Sequence, residues 1–146
     1  MTATDNVVAS GEAGSSWRIG DATLAGKRYL NLETYRRNGE GVRTPVWFAL
    51  APEDSDGPRL YVYSTADSGK VKRIRRANGV RIAPCDARGR VSGAWIAARA
   101  EIVGGTEFVA GMELLDRKYW PWKQILNLST RLFSRHERAM IVIRAA

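Results

Sequence analysis

The chain has 146 residues, 45% hydrophobic and 26% charged, which fits one globular domain built round a single core. Its net charge of +8 asks for an anionic partner but does not separate nucleic acid from lipid headgroups or a phosphorylated ligand. A single cysteine (Cys85) and a single histidine (His136, in the charged run "SRHER") leave no intrachain disulfide, zinc cluster, histidine triad or multi-histidine metal site, so no metal is expected and any hard chemistry falls to a cofactor.

Residues 1–16, "MTATDNVVASGEAGSS", are small and polar and predict a mobile tail ahead of one domain over 17–146. No cationic segment followed by an apolar run marks a signal peptide, and no apolar stretch approaches a membrane span, so a cytoplasmic protein is expected. "YLNLETY" (29–35) has period two, with Leu30, Leu32 and Thr34 on one face. "RRNGEG" follows as a hairpin turn on Asn38-Gly39. "VRTPVWFAL" (42–50) sets Val42, Thr44, Val46, Phe48 and Leu50 against Arg43, Pro45, Trp47 and Ala49. "RLYVYS" (59–64) is the third strand and "VRIAPCD" (80–86) the fourth. "VSGAWIAARAEIV" (91–103) reads as one long fifth strand, its face of Ala94, Ile96, Ala98, Ala100 and Ile102 opposed to Trp95, Arg99 and Glu101. About thirty residues of helical character follow, broken at Pro121, and "AMIVIR" (139–144) makes the sixth strand.

Short antiparallel strands at this spacing predict a barrel or sandwich. Pro45 and Pro84 stand inside strand patterns, where neither can donate to a ladder, and the pair predicts a barrel that is not fully closed. Trp47 lies on the face of its strand opposite the apolar one. It needs a cover, either ordinary packing, a second subunit or a flat ligand.

Between the third and fourth strands lies "STADSGKVKRIRR" (64–76), with five cations between Lys70 and Arg76 and no acid until Asp86. As a helix it places Val71 and Ile74 on one face, continued by Asn78, and spreads the cations over the rest. Like-charge neighbours there cost of order 1–2 kcal/mol in total, which a domain tolerates, so a merely solvated face remains an alternative. The position carries more. Thr65, Asp67 and Ser68 suit a helix N-cap, Gly69 lets backbone approach a ligand, and a helix start presents free N–H groups suited to phosphate. Lys70 and Lys72 fall in the first turn, so the block reads as a compact phosphate clamp. Arg81, Arg88, Arg90 and "TRLFSRHER" could extend a cationic track, but Val71 and Ile74 must stay packed and no helix-turn-helix pattern is present, which argues against nucleic acid as the partner.

Together "YLNLETYRRNGEGVRTPVWF" and "YVYSTADSGKVKRIRRANGVRIAPCDARGRVSGAW" resemble the split β-barrel superfamily of flavin and deazaflavin oxidoreductases, which includes the pyridoxamine-phosphate oxidases. The likeness runs from about Tyr29 to Val103 and is nearest to the deazaflavin-dependent branch that uses coenzyme F420. It implies a mainly β fold with short helices, a six-stranded antiparallel split barrel. It also implies a homodimer with cofactor at the interface, the deazaflavin ring lying along Arg43, Thr44, Pro45, Val46 and Trp47. By the same likeness Ser64, Thr65, Ser68, Gly69, Lys70 and Lys72 hold the cofactor phosphate, Arg73 and Arg76 reach towards an acidic tail, and Cys85 falls beside the ring strand. The third strand lacks the basic pattern of FMN-type relatives, which favours F420 and leaves FMN as the alternative.

The implied reaction is hydride transfer from reduced cofactor to an electron-poor small molecule such as a conjugated alkene, an enone or a tetrapyrrole bridge. No side chain is an evident general acid, so catalytic residues stay unassigned; solvent, Tyr119 or an arginine-bound water could supply the proton. "RKYWPWKQ" sets Tyr119, Trp120 and Trp122 round Pro121, as a substrate lid or as dimer packing.

Overall fold

The computed structural model describes Leu24 and residues 26–52, 57–119 and 138–146. The tail, His136, Trp120, Pro121 and Trp122 lie outside the described residues. Among the described residues, six strands and two helices follow in order: β1 Tyr29–Tyr35, β2 Gly41–Leu50, β3 Arg59–Thr65, α1 Gly69–Arg76, β4 Gly79–Cys85, β5 Ile96–Val103, α2 Gly105–Tyr119 and β6 Arg138–Ala145.

The strands are antiparallel and close on themselves in the order β1-β2-β3-β6-β5-β4. The ring is therefore complete, contrary to the opening that the two prolines predict. Alternation aims Leu30, Leu32, Val46, Phe48, Leu60, Val62, Ile82, Ile141 and Ile143 inward as one core. The β1–β2 hairpin turns at Gly39, whose φ of 88° is open to glycine, with its amide donating to the Arg36 carbonyl at 2.9 Å.

α1 plugs one mouth of the barrel. Val71 and Ile74 are buried against the core, while the helix ends at Arg76 and leaves Asn78 exposed rather than on its apolar face. α2 lies outside, where Leu115 and Tyr119 pack on Ala49, Tyr61, Met140 and Val142. Among the described residues no helix is long and apolar enough to cross a membrane.

The fifth strand is shorter than its pattern predicts. Val91 makes only an isolated bridge to Cys85, and regular pairing begins at Ile96. The Cys85–Val91 hairpin turns sharply at Asp86–Arg90, and Asn31 Nδ2 ties it down by donating to the Gly89 carbonyl at 2.8 Å. "SGAW" is consumed in carrying the chain from that hairpin to β5.

Candidate functional site

The ring closes, yet its seams are partial. In an antiparallel ladder each residue points its N–H and C=O to the same side, alternating along the strand. The Ala51 amide donates to the Arg59 carbonyl at 3.0 Å, so the odd-numbered residues of β2 face β3. Pairing across that seam covers only Phe48–Leu50 against Leu60–Val62. Among the described residues, the main-chain groups of Arg43, the Pro45 carbonyl and the Trp47 amide thus face a gap without a ladder partner. Pro45 sits where a missing N–H costs nothing. Pro84 repeats the device: it lies beyond the last β4–β5 pair, Ile82 with Ile96, and its carbonyl is taken by the Ser92 amide at 2.8 Å. The prolines marked local gaps rather than an open barrel.

Trp47 has its cover within the chain. Its ring stacks on Tyr119 of α2, centroids 4.5 Å apart and planes 8° from parallel. The Tyr119 hydroxyl wedges into the end of the β1–β2 ladder, accepting the Phe48 amide at 3.1 Å within reach of the carbonyls of Phe48 and Arg28. Burial pushes its pKa up to about 12, so the proton stays on the phenol at neutral pH. Tyr119→Phe leaves the buried Phe48 amide without that acceptor, and a loss of about 1–3 kcal/mol in chemical unfolding is expected. An unchanged midpoint would mean that water replaces the hydroxyl.

The gap beside Arg43–Trp47 runs towards the barrel mouth that α1 covers, since Val42 pairs with Thr34 and Thr34 touches α1. Ser68 caps α1: its Oγ accepts the Val71 amide at 3.3 Å and lies 3.0 Å from Ser64 Oγ, while its own amide donates to the Thr65 carbonyl. Nothing among the described residues takes the Gly69 and Lys70 amides, and the first turn holds no acid. Arg73 folds back over this start. Its Nε donates to the buried Thr34 Oγ1 at 2.7 Å, and Nη1 lies 2.7 Å from where a Gly69 Cβ would sit.

Both cations are held uncomfortably. Burial, then the neighbouring Arg73, lowers the Lys70 pKa; burial, then Arg36, lowers that of Arg73. A cationic cluster that is partly desolvated and self-repelling binds an anion with a built-in gain. Lys72 is exposed on the other flank, and Arg76 donates to the Tyr35 carbonyl. Gly69→Ala should displace Arg73 at little cost to folding, because the clash is with a flexible side-chain tip. The expected result is weaker anion binding with an unchanged melting temperature; equal loss of both would show a structural role instead.

The structure thus brings Ser64, Thr65, Ser68, Gly69, Lys70 and Arg73 together at one mouth, with Arg43, Pro45 and Trp47 along the adjoining gap. Val46 and Thr44 belong to the opposite parity. Val46 is buried in the barrel core, so its side chain is not available at the edge. Cys85 is not beside β2, because β1 lies between them; it is buried, and burial raises its thiol pKa.

One feature was missed. Glu33 on β1 is 4% exposed and accepts from Arg43 Nε at 2.8 Å, Arg81 Nε at 2.7 Å and the Tyr35 hydroxyl at 2.8 Å. Burial alone would raise its pKa, but the hydrogen bonds from Arg81, Arg43 and Tyr35 override it and bring the carboxyl to about 2. Trp95 completes the cluster, its ring centroid 4.6 Å from the Arg43 guanidinium and 5.0 Å from that of Arg81. The signal was present: a hairpin turning on Asn38-Gly39 sets residue 33 opposite 43. A cleft of about 490 Å³ also opens at the far end of α1, between Ile74–Asn78 and Ala100–Ile102, away from the helix start.

No family model matches the chain, and no curated protein matches it. Solved structures do. A protein of unknown function from Agrobacterium tumefaciens aligns with a TM-score of 0.59 at 12% identity, over 82% of this chain and 48% of the other, so this chain spans about half of that protein's length. The heme storage protein HutZ of Vibrio cholerae aligns at 0.55 and 12% identity, over 83% of each chain. A pyridoxamine 5'-phosphate oxidase-related, FMN-binding protein from Nostoc punctiforme aligns at 0.50 and 12% identity, over 84% of this chain and 72% of that one. At these identities the likeness establishes the shared barrel fold, as the sequence resemblance implied.

Proposed function

We propose that the protein is an oxidoreductase that holds a flavin-type cofactor, its phosphate at the start of α1 and its ring along the open edge of β2. The observation that carries this reading is the juxtaposition at one barrel mouth. The cluster of Lys70 and Arg73, with no acid in the first helical turn and two amides that no described residue takes, adjoins a strand edge beyond the last described β2–β3 pair. The residues fit such a group. Ser68, Lys70 and Arg73 supply donors to a phosphate, each charge-assisted bond worth about 1.5–3 kcal/mol. The Arg43 and Trp47 amides and the Arg43 and Pro45 carbonyls supply donors and acceptors along the strand, the complement of an imide-like ring edge.

When bound, the cofactor supplies hydride transfer. The chain's own part is to orient and to exclude water. The Trp47–Tyr119 stack fixes the floor of the edge, and α1 closes the mouth with Val71 and Ile74. With its phenol proton retained and its hydroxyl engaged by main-chain groups of Phe48 and Arg28, Tyr119 acts here as a support.

Two cofactors satisfy this geometry. The FMN-binding Nostoc protein of the same fold supports FMN. The sequence likeness to the deazaflavin-dependent branch, and the lack of a basic run in β3 beyond Arg59, support coenzyme F420. The same likeness supports a homodimer with the cofactor at its interface. Titrating purified protein with FMN, coenzyme F420 and a DNA duplex decides among them. Saturable binding of either cofactor, without retention of the duplex, is the expected result. Binding of the duplex alone would overturn the reading, as would binding of neither cofactor.

A further inference from the structure

The Glu33 cluster does more than hold three strands together. Glu33 is almost wholly buried, and it fixes the Nε atoms of two arginines from strands on either side of β1, Arg43 on β2 and Arg81 on β4. Each Nε is committed, but the arginine side chains remain 52% and 41% exposed, so part of each stays open to solvent. Glu33 is the one acid paired with either among the described residues, and two cations against one anion leave the cluster a net positive charge. Trp95, within 5.0 Å of both guanidinium carbons, walls it from behind the β4–β5 hairpin.

We propose that Arg43 and Arg81 form a preorganised fork that binds the carboxylate or phosphate of a small molecule on the outside of the β2–β1–β4 sheet. An arginine normally loses rotamer freedom when it grips an anion, and here that ordering is already done by Glu33 and Trp95. The planar guanidinium suits a bidentate grip on a two-oxygen anion. Arg43 is also two residues from Pro45 and four from Trp47 on the same face of β2. The fork therefore lies on the outer face beside the strand assigned to the cofactor ring, where it can meet one end of a substrate. Taking the anion to be the acid group of the hydride acceptor rests on the proposed oxidoreductase reading; the fork itself does not. It narrows the electron-poor acceptor to one that carries an acid.

The test uses the intact chain without cofactor and benzoate as probe, with binding followed by the arginine Nε–H resonances in NMR. Benzoate should shift both signals saturably. Arg81→Lys keeps the charge but loses the fork, and should weaken binding at least fivefold. Glu33→Gln gives the sharper reading, because it removes a negative charge. A site that works by net charge alone would then bind benzoate more tightly, whereas a fork that depends on its anchor binds more weakly. Tighter binding in Glu33→Gln, an unaffected Arg81→Lys variant, or no shift in the natural chain would each overturn the inference. None of these outcomes bears on the cofactor titration, so the fork and the oxidoreductase reading fail separately. If both hold, acceptors bearing a carboxylate should show a lower KM than their methyl esters, and that difference should vanish in Arg81→Lys.

Discussion

Arg73→Ala is expected to weaken binding of FMN or coenzyme F420 by about ten- to a hundredfold, the range of one lost charge-assisted contact to phosphate. The lost contact is not the whole effect. In the free protein Arg73 is partly desolvated beside Arg36, and Lys70 is partly desolvated beside Arg73, so each cation lowers the other's comfort until an anion arrives. Removing Arg73 relieves that tension in the free state, which narrows the difference between free and bound. Lys70→Ala acts from the other side, and the double variant should lose less than the sum of the two, because each single change already relaxes the pair. Lys72→Ala is the contrast: exposed on the outer flank, it should cost under about threefold and mainly alter the salt dependence. Thr34→Val separates placement from charge, since it leaves the guanidinium intact and removes only the oxygen that aims it. Weaker binding in Thr34→Val, with recovery in Thr34→Ser, would show that orientation matters. Unchanged affinity in Arg73→Ala and Lys70→Ala together would place the phosphate elsewhere.

The legible and illegible parts of this chain divide along a physical line. β1, β3, β4 and β6 fall within a residue or two of their sequence bounds, because each is a short β-prone segment, alternating as in β1 or continuously apolar as in β6, and buried over most of its length. α1 was legible for a different reason: its cap, its glycine and its two apolar positions agree on one register. β5 was not, because "VSGAW" continues the alternation while the chain leaves the ladder to round the Cys85–Val91 hairpin, and periodicity carries no record of a pairing partner. The prolines show the same limit. They report a missing hydrogen bond at Pro45 and Pro84 correctly, but closure depends on pairing elsewhere, through Phe48–Leu50 and Gly79–Ile82. Trp47 needed a cover, and only the tertiary fold could say that Tyr119, seventy-two residues on, provides it. Glu33 was overlooked because an acid in a strand reads as solvent-facing until two cross-strand arginines and a tryptophan are seen to close over it.

That glutamate also ties the stability of the fold to pH. Its carboxyl titrates near 4.5 when unfolded and at about 2 when folded, so the folded state prefers the ionised form. The contribution is therefore complete above pH 4.5 and is lost as pH falls through 2. Full conversion of the shift gives about 3 kcal/mol, and solvent screening of the half-exposed arginines brings it towards about 2. Glu33→Gln should accordingly be about 2–3 kcal/mol less stable than the natural chain in urea at pH 7. The gap should close as the pH is lowered, since the natural chain then carries a neutral carboxyl in the same place. Other carboxylates protonate over the same range, but they do so in both proteins and cancel in the difference. A gap that stays constant from pH 7 to pH 2 would show that Glu33 acts through shape rather than charge. The same variant at pH 7 leaves Arg43 and Arg81 unanchored on either side of β1, so its loss of stability should be accompanied by faster exchange of the Thr44 and Val46 amides, which face β1. Exchange confined to β4 would instead place the anchoring role on Arg81 alone.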